Sequence, residues 1–275
     1  SLRDTGALTV AMTATGSGVL QAGDNLAVSG STGTTLQTTT TGTGATDFGV
    51  TTVGSNLTTL SAAGVGQTGK LTVTGTSGIT ATSGGVALAG FDNSFGGTVT
   101  ASASGGGAVA LRTDATPLVL GNVSTGSLGL GLFLNGDVSQ AGGTAITASG
   151  PVHVEANTAG VNVALASATN DFNGGAITLT TAGAGTYTNV SVRDTDGSAS
   201  IAALPTNFGG NLTLHFDNAA MTLPGVTVGG DLNLTATGIQ QGGIFAVTGA
   251  SAFNAGTGGV ALAGVSNSFG GTVTA

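Results

Sequence analysis

The sequence predicts an all-β fold, a right-handed parallel β-helix (a β-solenoid) with coils of about 19–20 residues. Three observations carry this prediction. Residues 85–101, GVALAGFDNSFGGTVTA, return at 259–275 as GVALAGVSNSFGGTVTA, identical at 15 of 17 positions and offset by 174 in the numbering. Short apolar runs alternate with period two, and no helical periodicity is sustained. Only 6% of residues are charged, against about 25% in an ordinary globular chain, which leaves little material for the polar faces of surface helices.

Taken in chain order, the predicted elements share one pattern. A Gly-Gly pair followed by a strand of the form x-Φ-x-Φ, where Φ is apolar, stands at 96–101, 174–179, 209–214, 229–234, 242–247 and 270–275. Val161, Val163 and Leu165 point one way, with Asn162 and Ala164 between them. Val190 and Val192 alternate with Ser191 and Arg193, and Leu212, Leu214 and Phe216 with Thr213 and His215. Such alternation, bounded by Gly, Asn and Asp, marks a half-buried strand. The strands that start at Asn211 and Asp231 are in clean register one coil apart, and nine coils would divide the long repeat evenly.

A strand with one apolar face cannot bury it alone; stacked coils bury it in a continuous column, with parallel pairing between them. Leu212, Leu214, Leu232 and Leu234 are therefore expected in the core, with Thr213 and Asn233 outside. Gly is expected to supply positive-φ corners. Phe48, Phe95, Phe172, Phe208 and Phe269 each follow Asn or Asp by one or two positions. They are expected to fill core corners beside an Asn or Asp turn residue. About 14 coils at roughly 4.8 Å each would give a rod about 65–70 Å long.

The composition also excludes. There is no cysteine, hence no disulfide and no thiolate metal site. A net charge of −8 disfavours nucleic acid and polybasic contact with a membrane. The most apolar stretch, 126–136, is far shorter than the roughly 20 residues of a spanning helix, so no membrane insertion of this segment is expected. No signal peptide is visible at the start.

Candidate chemistry is sparse. His153 and His215 are expected to face outward, on strands far apart in the chain and without an acidic or thiol cluster; Glu155 shares the outward face of His153. Asp194 and Asp196, before Gly197, resemble the first half of a calcium loop. Pro205 stands where that loop needs its last carboxylate, so a polar turn is the expected reading. Arg3, Lys70, Arg112 and Arg193 are the whole basic complement and are scattered, unlike the clustered groups of a polysaccharide-cleaving β-helix. No catalytic, cofactor-binding or metal-binding residue is assigned, no cofactor is expected, and the chain is read as not an enzyme. Thr-x-Thr pairs at 72/74, 98/100, 178/180, 235/237 and 272/274 would suit an ice-binding face, a lesser alternative because Thr favours outward strand positions in any case. Glycosylation sequons at Asn56, Asn122, Asn189, Asn211 and Asn233 are expected by chance in so Asn-, Ser- and Thr-rich a chain.

Units such as NDFNGGAITLT (170–180), GNVSTGSLGL (121–130) and GDLNLTATGIQQGG (230–243) resemble the repeat regions of filamentous-haemagglutinin-like exoproteins. These are large adhesins that Gram-negative bacteria secrete by two-partner systems, and autotransporter passengers share the repeat style. The likeness covers essentially the whole chain; the NPNL-type motif of the family's secretion domain has no match. The resemblance implies a right-handed β-helix, an extracellular or cell-surface location, and adhesion or surface display through a host, cell-surface or glycan receptor. The alternative is self-association into a filament, sheath or surface layer. Residues 1–275 are expected to form a single solenoid segment of a longer repeat protein that continues past Ala275 with sequence like that from 102 onward.

Overall fold

The computed structural model describes residues 1–275. Its regular elements are 33 strands with no helix, paired in parallel throughout, and they form a β-solenoid of about 13 turns. At roughly 4.8 Å per turn the rod is about 60 Å long. Each coil crosses a 19-stranded sheet on one side, and up to the strand Ile201–Ala203 an 11-stranded sheet on the other. A three-stranded sheet, Met221–Leu223, Ile239–Gln241 and Val260–Ala261, adjoins the latter.

Coil length varies more than the sequence suggests. The usual spacing of stacked partners is about 21 residues. The shortest coil sets Leu2 beside Leu20, and the longest sets Leu165 beside Val192. The offset between the two near-copies accordingly spans eight coils rather than nine. The extra residues sit in bulges. The strand Val86–Phe95 shifts register between Leu88 and Asn93, and similar shifts occur in Thr46–Val53, Leu118–Thr125 and Tyr187–Asp194. A bulge adds length without moving the inward residues off the core face.

The core is one contiguous column of 59 buried apolar residues from Leu20 to Phe253. Leu212, Leu214, Leu232 and Leu234 are fully inside and directly stacked, Leu212 on Leu232 and Leu214 on Leu234. Thr213 and Asn233 lie on the other face, half-exposed because the neighbouring coils crowd them. Phe48, Phe95, Phe172 and Phe208 are buried as expected, whereas Phe269 is only partly covered.

Not every inward position is apolar. In the coils from 36 to 61 the inner face carries Thr38, Thr40, Thr59 and Ser61. Their hydroxyls pair across coils, Thr38 to Thr59 at 3.0 Å and Thr40 to Ser61 at 3.2 Å. Satisfied in this way, hydroxyls occupy a core without the cost of orphaned polar atoms.

The glycines have a different reason from the one expected. Ten of the 52 adopt positive φ; most others mark corners where coils approach too closely for a side chain. Along the corner formed by Gly210, Gly230, Gly249 and Gly271, a Cβ on each of the last three would press into the backbone of the glycine below. The backbone N–H groups of Gly230, Gly249 and Gly271 instead donate to the carbonyl below at 2.9–3.0 Å.

Candidate functional site

The polar groups best ordered by the fold form a recurring clip, and it is built from the bulges. Where the chain bulges out after an inward leucine, an asparagine five residues later returns to the interior. Asn93 and Asn170, expected as turn residues, are fully buried there. Asn93 Oδ1 accepts the Leu71 backbone N–H (2.8 Å) and Gln67 Nε2 (3.1 Å) from the coil below. Its Nδ2 donates to Leu88 O (2.9 Å) and Gln67 Oε1 (2.9 Å).

The same four bonds recur twice. Asn170 accepts from Ile146 N (2.9 Å) and Gln140 Nε2 (2.8 Å), and donates to Leu165 O (3.1 Å) and Gln140 Oε1 (2.9 Å). Asn267 accepts from Phe245 N (2.9 Å) and Gln241 Nε2, and donates to Leu262 O and Gln241 Oε1, both at 3.2 Å. Each clip closes its own bulge and ties it to the bulge beneath, so both amides have both polar atoms satisfied. The asparagine was legible in NSF and NDF; its glutamine partner, a full coil or more earlier in the chain, was not.

A second array runs along the outer edge of the sheet. Asp137 Oδ1 accepts the N–H of Asn162, Asn162 that of Asn189, Asn189 that of Asn211, Asn211 that of Asp231, and Asp231 that of Ala250, at 2.8–3.2 Å. Asn25, Asn56 and Asn122 do the same for Ala45, Thr76 and Ala145. Of the five sequons, Asn189 and Asn211 are rungs of this ladder, and Asn56 and Asn122 make the same bond separately. The signal in the sequence is Asn or Asp directly before the Leu or Val that opens an inward pair.

The ionisable candidates are not brought together. His153 lies in the 11-stranded sheet and His215 in the 19-stranded sheet, both at outward positions of their strands as expected and half-buried there. His153 Nε2 bonds Thr180 Oγ1 at 2.7 Å, and its ring meets the edge of Phe133, over which the Arg112 guanidinium sits at 5.2 Å. His215 Nε2 lies 2.9 Å from Asp217 Oδ1, which with Oδ2 also receives both arms of Arg193 at 2.8 and 2.9 Å. The Arg193 hydrogen bonds hold the Asp217 carboxyl below the usual range, outweighing partial burial. Lys70 pairs with Asp114 at 2.9 Å. Three of the four basic side chains are thus committed within the chain.

Asp194 and Asp196 diverge rather than converge. Asp194 is fully buried, and its Oδ1 accepts the backbone N–H of Phe172 (3.0 Å) and Asp196 (3.1 Å). Asp196 turns outward to Ser198. No three His, Asp or Glu side chains lie close enough together to hold a metal ion. The open groove beside the strand Ile201–Ala203, lined by Thr181, Thr186, Leu204, Pro205 and Asn207, carries no ionisable side chain. The Thr-x-Thr pairs divide between the two large sheets, Thr72 and Thr178 on one and Thr98, Thr235 and Thr274 on the other, so they form no single rank.

Fold and clips together define a repeat protein of the parallel β-solenoid class. The chain belongs to the family described as Repeats of unknown function (DUF5649), whose model matches residues 33–102, 106–180 and 209–275. Each matched copy holds one complete clip, Gln67–Asn93, Gln140–Asn170 and Gln241–Asn267, towards its C-terminal end. No curated protein and no solved structure matches the chain.

Proposed function

We propose that this chain is a structural rod segment of a bacterial surface or secreted protein, an adhesin shaft that holds a binding region away from the cell and has no catalytic role of its own. The observation carrying this reading is the unbroken core column from Leu20 to Phe253, reinforced in each repeat by an Asn–Gln clip, fully buried at Asn93 and Asn170, and along its edge by the Asn/Asp ladder. Such a stack has one extended shape and transmits load along its axis, because each coil is bonded to the next over its full length. The commitment of most basic side chains to internal contacts fits a spacer better than an enzyme groove. The filamentous-haemagglutinin-like repeat style favours an extracellular, Gram-negative setting and a receptor bound elsewhere on the parent molecule. Self-assembly into a filament, sheath or surface layer is the competing reading. It is favoured by the near-copy at 259–275, which repeats the pattern eight coils along and differs only at the exposed pairs Phe91/Val265 and Asp92/Ser266.

Electron microscopy of the purified parent protein tests the proposal. Isolated thin rods are the expected result; ordered fibres or lattices would replace the shaft with the assembling protein.

A further inference from the structure

We propose that Asp194 is a proton-dependent lock: as a neutral acid it seals the core of the coil spanning residues 187–199, and on losing its proton it loosens that coil. The residue lies in 181–208, the stretch between two matched copies of the repeat, and directly follows the second clip in the stack. Thr195 N donates to Asn170 O, which sets Asp194 above Asn170 as Thr113 is set above Asn93. Both positions are fully buried, but one holds an uncharged threonine and the other a carboxyl.

The geometry around that carboxyl supplies no counter-charge. Oδ1 takes two backbone N–H bonds, while Oδ2 is buried without any partner. Above it stacks Phe216, which is apolar. The ionisable groups that face it, Asp171 on the coil below and Asp196 on its own turn, are both acidic. The adjacent cation, Arg193, points the other way with both arms on Asp217, which also holds His215. A buried carboxylate with one oxygen orphaned and no cation is costly, and proton uptake is the usual relief.

Burial raises the Asp194 carboxyl above its ordinary range, against the pull of the two N–H bonds, and repulsion from Asp196 and Asp171 adds to the rise. A folded-state value above the unfolded one contributes stability that is complete below the ordinary carboxylate range, about pH 3.9, and is lost as pH rises through the folded value. The consequence is a coil that is tightest in acid and looser towards neutral and alkaline pH.

Hydrogen exchange of the full chain from about pH 3.5, below the ordinary carboxylate value, to about pH 8, corrected for intrinsic rates, tests this in wild type, Asp194→Asn, Asp194→Thr and the control Asp196→Asn. The amides of Thr195 and Asp217, which bond the backbone of the neighbouring coils and not the carboxyl itself, are expected to lose protection by about tenfold in wild type, the order of one unsatisfied buried polar group. Protection should stay level in Asp194→Asn or, if that variant does not fold, in Asp194→Thr, which copies position 113. The Asp196→Asn control should retain the wild-type trend. The proposal is overturned if Asp194→Asn keeps the wild-type pH dependence, if Asp196→Asn abolishes it, or if calcium chloride restores protection at pH 8 and so reveals a bound cation.

Discussion

Residues 85–101 and 259–275 differ at two positions in 17, yet they form different structures. The first copy contains the ten-residue strand Val86–Phe95, paired with the coil below through Val65 and Thr72 and with the coil above through Val109. The second yields three two-residue strands, Val260–Ala261, Ser268–Phe269 and Val273–Thr274, paired on one side alone. Val86, Leu88, Phe95 and Val99 are buried; Val260, Leu262 and Phe269 are partly covered, and Val273 is 46% exposed. The asparagine clip nonetheless forms in both, because its partners lie on the same coil and the coil beneath. The comparison separates two kinds of stabilisation. Polar pairing needs one neighbouring coil, whereas full apolar burial needs one on each side.

The sharpest challenge to this view is Leu88→Ala against Leu262→Ala. The first removes a fully buried side chain between two coils and should cost about 2–5 kcal/mol; the second, partly solvated, should cost less than half as much. Local opening free energies from hydrogen exchange measure both, and suit a repeat stack that need not unfold in one step. Equal losses would show that the neighbour above contributes nothing to burial.

Asn93→Ala should follow, at about 2–4 kcal/mol, since it strands the buried Leu71 N–H, the Leu88 carbonyl and the Gln67 amide. Asn267→Ala should cost roughly half of that, because water reaches its half-exposed site. Asn93→Asp sharpens the test: it keeps the acceptor and loses both donors, so it should remain nearly as damaging as alanine. The smallest effects belong to Thr100→Ala and Thr274→Ala. These residues are equivalent, exposed in both copies, and should change stability by less than about 0.5 kcal/mol. A large loss at Thr100 alone would mean that the outward face also depends on stacking.

What could be read in the residues follows from these rules. Alternation placed Leu212, Leu214, Leu232 and Leu234 inside, because period two has one solution once one face is buried. It could not place Thr38, Thr40, Thr59 and Ser61 inside, since their burial depends on hydroxyls that meet only when one coil stacks on the next. The Asn–Gln clips escaped for the same reason: Asn93 looks like a turn residue until the coil below brings Gln67 to it. The sequons read as chance matches because a ladder rung and a glycan acceptor begin with the same residue.

By itself the sequence determined the parallel β-solenoid class and the identity of most core strands, because both follow from local periodicity repeated along the chain. The uneven lengths of the coils, the sites of the bulges and the burial of particular polar side chains were decided only by tertiary structure. The physical reason is that each depends on what the adjacent coil presents at one height of the stack.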